Sequence, residues 1–149
     1  MLVKPKVYIV YGSLSLNGAT CEVANILNSA INDSGKVHSE LFLIDKCESY
    51  DINKLDDADM IIFGSPTYMG SLYSEFKKFA EKSSGKWFAG KWRDKLAAGF
   101  TNSSHSSGDK LFTLQQMIIF AAQHGMIWVP LGIPSAITSG DFTKNLNQY

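Results

Sequence analysis

The sequence predicts one α/β domain built on an open parallel sheet, and three observations predict it. Short β-branched and aromatic runs alternate with apolar stripes at helical spacing. Each run stops at a glycine- or hydroxyl-rich turn, and no repeat, linker or low-complexity stretch divides the 149 residues. Five strands alternating with three helices leave few topologies, because parallel neighbours need crossover connections and these are right-handed. A chain of this length buries about 70% of its unfolded surface around a single core, so residues 1–149 are read as one domain.

The first strand is residues 6–11, Lys-Val-Tyr-Ile-Val-Tyr, closed by Gly12-Ser13. Val23, Ile26, Leu27, Ala30 and Ile31 then recur at i, i+3, i+4, i+7 and i+8, which predicts an amphipathic helix ending near Ser34-Gly35. Residues 37–44 form the second strand and residues 60–63 the third, closed by Gly64-Ser65-Pro66. Leu72, Phe76, Phe79 and Ala80 mark one face of a second helix, followed by a Gly/Trp-rich connection over residues 84–93 and a fourth strand at 96–100. Leu111, Leu114, Met117, Ile118 and Ala121 give a long third helix that stops at His124-Gly125. Residues 126–129 are the fifth strand, and residues 133–149, with Pro134 and Gly140, read as an irregular tail.

Composition removes several functions. Fourteen Lys+Arg balance fourteen Asp+Glu in a chain that is 45% hydrophobic and 19% charged, so neither disorder nor a nucleic-acid footprint is predicted. The N-terminus has no signal-type apolar run, and the most apolar stretch, residues 117–129, is interrupted by Gln123, His124 and Gly125; a cytoplasmic protein without a membrane partner is expected. Cys21 and Cys47 have no metal-ligand spacing and read as unpaired thiols, with no metal site. His38 and His105 read as surface residues. Twelve glycines and 12% aromatics suit a protein that holds a planar ligand.

In an open parallel sheet, ligands bind beyond the carboxyl ends of the strands. After strand one, residues 12–20 (Gly-Ser-Leu-Ser-Leu-Asn-Gly-Ala-Thr) lead into a helix N-terminus with hydroxyls and backbone N–H groups suited to a phosphate, or form an ordinary loop in which Thr20 caps the helix. The loop lacks the P-loop lysine and the G-x-G-x-x-G spacing, so neither Walker-type hydrolysis nor a dinucleotide fold is read. After strand three, residues 64–70 (Gly-Ser-Pro-Thr-Tyr-Met-Gly) set Tyr68 and Met69 between glycines, as a ring platform or a stiff turn with an exposed Tyr. After strand four, residues 101–109 offer a hydroxyl wall for polar ring edges, or a solvated loop. Asp59 starts strand three rather than ending it, which sets aside a phospho-receiver; Ser13, Ser15 and Ser65 lie in no G-x-S-x-G elbow, which sets aside a hydrolase.

Gly64-Ser65-Pro66-Thr67-Tyr68-Met69-Gly70, Phe76-Lys77-Lys78-Phe79, Gly85-Lys86-Trp87 with Gly90, Phe100-Thr101-Asn102-Ser103 and His124-Gly125-Met126-Ile127 resemble the flavodoxin-like FMN oxidoreductases, in particular the WrbA-type NAD(P)H:quinone oxidoreductases. Gly12, Ser13, Asn17, Gly18 and Thr20 are closer to the loop of the related NADPH-dependent FMN reductases. The resemblance covers residues 3–132 and implies a three-layer α/β/α fold with strand order 2-1-3-4-5. It implies an FMN phosphate at Ser13, Ser15, Asn17, Gly18, Ala19 and Thr20. The isoalloxazine would lie on Pro66, Thr67, Tyr68, Met69 and Gly70, edged by Thr101, Asn102, Ser103, Ser104, Gly108 and Asp109. Trp87 and His124 become candidate walls, from this chain or a neighbouring subunit; for His124 a helix-terminal histidine bonded to local carbonyls stays open. Tyr68 and His124 are the candidate catalytic residues, with NAD(P)H as electron donor.

The sequence departs from the family in three places. Tyr68 stands where an Arg is common, Gln123 stands where a second His is frequent, and the tail lacks the pattern of a final helix. Without that helix, the sheet face beside the first helix would lose cover and expose an apolar patch, which predicts a homo-oligomer, dimer or tetramer, or a tail packed in its place. The functional expectation is two-electron transfer from NAD(P)H through FMN to a quinone or similar small molecule. The alternatives are a single-electron carrier, disfavoured by the zero net charge, and a non-catalytic oligomerising module.

Overall fold

The computed structural model describes residues 3–106 and 108–132. In chain order they form β1 (Lys6–Gly12), α1 (Ala19–Asp33), β2 (His38–Ile44), a 3-10 turn (Ile52–Asp57), β3 (Met60–Tyr68), β4 (Ser71–Leu72), α2 (Ser74–Lys82), α3 (Ser84–Phe88), β5 (Leu96–Asn102), α4 (Lys110–Gln123) and β6 (Ile127–Trp128). The sheet runs β2-β1-β3-β5-β6 with every one of these pairings parallel. Numbered as five strands, this is the expected order 2-1-3-4-5. β4 is an addition: it pairs antiparallel with β3 and makes the sheet six-stranded.

β1 is central because nothing in it needs water. Its residues Val7, Tyr8, Ile9, Val10 and Tyr11 are all 6% exposed or less, the condition of a strand covered on both faces. Odd positions Ile9 and Tyr11 pack under α1 with Cys21 and Ala24, and even positions Tyr8 and Val10 face the layer of α2 and α4. That second layer is an aromatic cluster around Phe79, whose ring stacks on Trp92 at 6.2 Å and meets Phe76, Tyr50 and Phe120 edge-on. Such pairs add to simple area burial.

Two expected stripes shift. Leu72 belongs to β4, not to the second helix, because Tyr73 turns the chain only after the hairpin has closed. On α4, Leu111 and Ile118 are exposed, and the buried line is Thr113, Met117, Ala121 and His124. Both faces of this helix carry apolar side chains, so periodicity could not tell which one packs. The Gly/Trp-rich connection also contains the unpredicted α3, stitched to the domain by Trp92, whose indole N–H donates to Asp56 Oδ1 at 3.3 Å.

On the α1 side the sheet is less covered with distance from that helix. Ile62, Ala98 and Phe100 are half-buried, and Leu96, Ile127 and Val129 are exposed. The expected irregular tail, residues 133–149, and with it the question of a final helix, lies outside the described residues. Among the described residues no helix is long and apolar enough to cross a membrane.

These placements separate two substitutions that the sequence alone treats alike. Met117→Ala, at a fully buried site, should cost about 2–5 kcal/mol in urea unfolding. Leu111→Ala, at a side chain left 51% exposed, should cost less than about 1 kcal/mol.

Candidate functional site

Because β1, β3 and β5 run parallel, their carboxyl ends share one edge of the sheet, and the three loops read from the sequence meet there. The first leaves β1 at Gly12, beneath which the Tyr73 ring packs. It then folds on itself: the Ser13 hydroxyl donates to Ser15 O at 2.6 Å, the Gly18 N–H donates to the same carbonyl at 3.0 Å, and the Asn17 N–H donates to Ser15 Oγ at 3.2 Å. A Cβ on Gly18 would sit 3.1 Å from Ser15 O and 3.2 Å from Ser13 Oγ, so any side chain here would push against the cradle.

α1 opens from this cradle without a side-chain cap. Its first internal bond is Glu22 N–H to Gly18 O, so the N–H groups of Ala19, Thr20 and Cys21 have no acceptor among the described residues. Thr20 is not the cap the alternative reading required. It is buried inside the first turn, and its hydroxyl donates across the edge to Asn102 Oδ1 at 2.6 Å. The loop over residues 13–20 carries no carboxylate, Glu22 being the acid of the first turn, and the uncapped N–H groups and helix dipole favour an anion.

The second loop is a two-residue hairpin turn. Met69 and Gly70 both have positive φ, 51° and 74°, joining β3 to β4, as the tight turn matching strand twist requires. The turn projects Tyr68, 57% exposed, and Met69, 92% exposed, while Pro66 stays buried in register with Asn102. Its position is fixed by Gln116 Oε1 on α4, which accepts both the Ser71 hydroxyl and the Leu72 N–H at 3.0 Å.

The hydroxyls of the third loop are largely spent on the protein itself. Thr67 Oγ1 lies 2.8 Å from Thr101 Oγ1 and 2.9 Å from the fully buried Thr113 Oγ1, tying β3, β5 and α4 together. Ser103 donates to His105 O at 2.7 Å, and Lys110 Nζ donates to Ser103 Oγ. Ser104 is exposed, and Gly108 packs on Ser103 so closely that a Cβ would fall 2.9 Å from its hydroxyl. Asp109 holds a left-handed φ of 51° and caps nothing; its carboxylate faces Gly70 instead. The wall of ring-edge hydroxyls is thus mainly a set of clamps between loops.

His124 and Trp87 are elsewhere. α4 has 14 residues, about 21 Å at ~1.5 Å per residue; it begins at the third loop and ends at His124. There the imidazole stacks on Trp92 at 4.4 Å and its Nε2 lies 2.8 Å from Ser83 Oγ. Since Ser83 gives its hydroxyl proton to Ala80 O at 2.7 Å, Nε2–H is the donor and Nδ1 keeps its lone pair, buried and without a partner among the described residues. Trp87 lines the same depression at the far end, so neither residue walls the three-loop site of its own chain. Burial lowers the His124 pKa to about 4. His38 and His105 are at the surface, as read from the sequence. Tyr11, under α1, has its phenol pushed up to about 12 by burial and by the contact with Cys21 Sγ. No group of three His, Cys, Asp or Glu that could hold a metal occurs among the described residues.

Four residues that sequence reasoning missed organise the edge: Tyr73, Lys110, Thr113 and Gln116. Tyr73 is the single residue between β4 and α2 and the other three lie on α4; only knowledge of which helix face packs could have found the last two.

A parallel sheet of this order, whose carboxyl edge carries an uncapped helix N-terminus, a projecting hairpin and a cross-bonded third loop, defines a flavodoxin-like α/β protein. The chain belongs to the NADPH-dependent FMN reductase family, which it matches over residues 5–138. It is 42% identical to the crystal structure of a flavodoxin, WrbA-like protein from Agrobacterium tumefaciens, at a TM-score of 0.76 over 87% of this chain and 79% of that one. It is 50% identical over 93 residues to flavodoxin FldP of Pseudomonas aeruginosa, 62% of this chain and 50% of that protein. It is 36% identical over 104 residues to an NAD(P)H dehydrogenase (quinone) of Archaeoglobus fulgidus, 68% of this chain and 50% of that protein. The chain spans about half the length of these curated relatives.

The neutral His124 makes stability pH-dependent with a definite sign. Above pH 6.5 it is neutral folded and unfolded. Between 6.5 and about 4 only the unfolded state takes the proton, so stability falls with pH and levels off below 4. The full effect is on the order of 3 kcal/mol. Urea unfolding at pH 7, 5.5 and 4 should show this extra decline in the wild type and not in His124→Phe.

Proposed function

We propose that the chain holds FMN at the carboxyl edge of its sheet and works as an oxidoreductase that takes two electrons from NAD(P)H and passes them to a quinone or similar small acceptor. The observation that supports this best is the uncapped first turn of α1 beside a glycine cradle, bonded through Thr20 to the third loop. That donor set fits a phosphate dianion. When bound, FMN supplies the redox chemistry, accepting a hydride equivalent and giving it up as two electrons.

The protein's contribution is placement. The N–H groups of Ala19, Thr20 and Cys21, with Ser13, Ser15, Asn17 and Gly18 shaping the loop, would hold the phosphate. Pro66, Thr67, Tyr68, Met69 and Gly70 would support the ring, and the backbone of residues 101–104 and 108–109 would border its polar edge. With the hydroxyls of Thr67, Thr101 and Ser103 committed to the protein, the ring edge would be met chiefly by backbone N–H groups, which cost no reorganisation. The exposed Tyr68 phenol can exchange a proton with water at the mouth. His124 and Trp87 would contribute only from a second copy of the chain.

The likeness to FldP favours a second reading, a single-electron carrier. A net charge of zero gives it little electrostatic steering toward a protein partner.

Gel-filtered protein incubated with FMN should stay yellow, and flavin fluorescence quenching should give a Kd below about 10 μM, tighter than roughly −7 kcal/mol. The same preparation should oxidise NADH or NADPH when a quinone is supplied; flavin retention without that turnover supports the carrier. Ser13→Ala should weaken FMN about tenfold but leave riboflavin binding unchanged, because only FMN carries the phosphate. Tyr68→Phe should slow quinone-dependent turnover by about tenfold; an unchanged rate removes Tyr68 from the proton path.

A further inference from the structure

We infer that Lys110 anchors the loop at the end of β5 and sets a fixed positive charge, in no ion pair among the described residues, beside the candidate flavin site, governing both the order of that loop and the potential of the flavin held there. The anchoring role stands on the chain alone, and the electrostatic role rests on the FMN reading above. An ammonium has three N–H donors, and Lys110 Nζ has three acceptors in this loop: Ser103 Oγ at 2.7 Å, Ser106 O at 2.8 Å and His105 O at 2.9 Å. The lysine sits at the first position of α4 and reaches back over residues 103–106, gathering two carbonyls and a hydroxyl as a bound cation would. Ser103 reinforces the arrangement by donating to His105 O.

The partners decide the electrostatics. Lys6, Lys77, Lys78, Lys82 and Lys86 each pair with a carboxylate. Lys110 forms no ion pair among the described residues; its three acceptors are neutral. The adjacent acid, Asp109, sits in a left-handed conformation that turns its carboxylate toward Gly70, so it faces the hairpin side of the site while the ammonium sits over residues 103–106. The other titratable group of the loop is His105, which offers Lys110 its carbonyl. The positive end of the α4 dipole lies at the same place and adds to the ammonium. A ring bordered by residues 101–109 gains negative charge on reduction, so a fixed cation there stabilises its reduced form and raises its potential. With all three N–H groups engaged, Lys110 acts by its field and by holding Ser103, which makes it a positioning residue rather than a catalytic one.

Lys110→Met keeps the apolar stem and removes charge and donors; Lys110→Arg keeps the charge. In the flavin-free chain, ¹⁵N relaxation order parameters of residues 103–106 should fall in Lys110→Met from near 0.85 to below about 0.6 and stay high in Lys110→Arg. With FMN added, Lys110→Met should raise Kd at least tenfold, about 1.4 kcal/mol, and move the midpoint potential of the bound flavin to more negative values. Lys110→Arg should keep the wild-type potential. An ordered loop in Lys110→Met overturns the anchor, and an unchanged potential overturns the electrostatic role. A wild-type chain that takes up no FMN overturns the flavin reading together with that role, while the relaxation measurement still decides the anchor.

Discussion

The burial of β1 on both faces and both edges is the constraint from which the rest of the edge follows. A strand hydrogen-bonded to β2 and β3 and covered by α1 on one face and the aromatic layer on the other cannot shift its register without exposing Ile9 and Tyr11 or Tyr8 and Val10. Its last residue, Gly12, is therefore fixed in space, and the chain must reverse within residues 13–18 to bring α1 back over the sheet. The reversal is tight enough to consume the Ser13 and Ser15 polar groups internally. What is left facing out is the unbonded first turn of α1.

The same economy governs the other two loops. Hydroxyl groups beside a ligand site read naturally as ligand contacts, yet here they bond chiefly to one another. Thr20 reaches Asn102, and Thr67 reaches Thr101 and Thr113, so three separate strand ends behave as one rigid rim. A rim fixed by side chains leaves its backbone to face a bound molecule. Backbone N–H groups held this way keep their direction whether or not a ligand is present.

Much of this was legible in the sequence for physical reasons. The alternation of strand-type runs and helical stripes gave the layer order, and turn chemistry gave the loop after β1. Gly64-Ser65-Pro66, however, does not close β3, which runs on to Tyr68 and pairs with β5 through Asn102, because cross-strand bonding overrides the local turn signal there. The resemblance supplied the cofactor. Three things were not legible. Leu111 and Ile118 share the helical period of Met117 and Ala121, and only packing against β5 shows that α4 buries the latter pair. The β4 hairpin is two residues long and registers in no periodic window. The distance of His124 and Trp87 from the loops depends on the direction and length of α4, which no residue pattern encodes.

That separation gives the molecule two unlike ends. At the carboxyl edge lie the positive-φ residues Met69 and Asp109 and the unbonded N–H groups of α1, features that cost stability and persist only where the surroundings enforce them. At the other end His124 is held neutral between Trp92 and Phe120, its Nδ1 without a partner, next to a half-exposed Trp87. An unpaired buried acceptor also costs stability, and the aromatic cluster around Phe79 and Trp92 offsets it. α4 joins the two, bonding the hairpin through Gln116 and the loop through Lys110 at its start and packing His124 at its close. Its outward face carries Leu111, Phe112, Ile118 and Ile119 and, over residues 111–123, no charge. A displacement of that helix along its axis would move both ends together. The stability of the aromatic layer and the geometry of the loop rim are therefore properties of one rigid element rather than two.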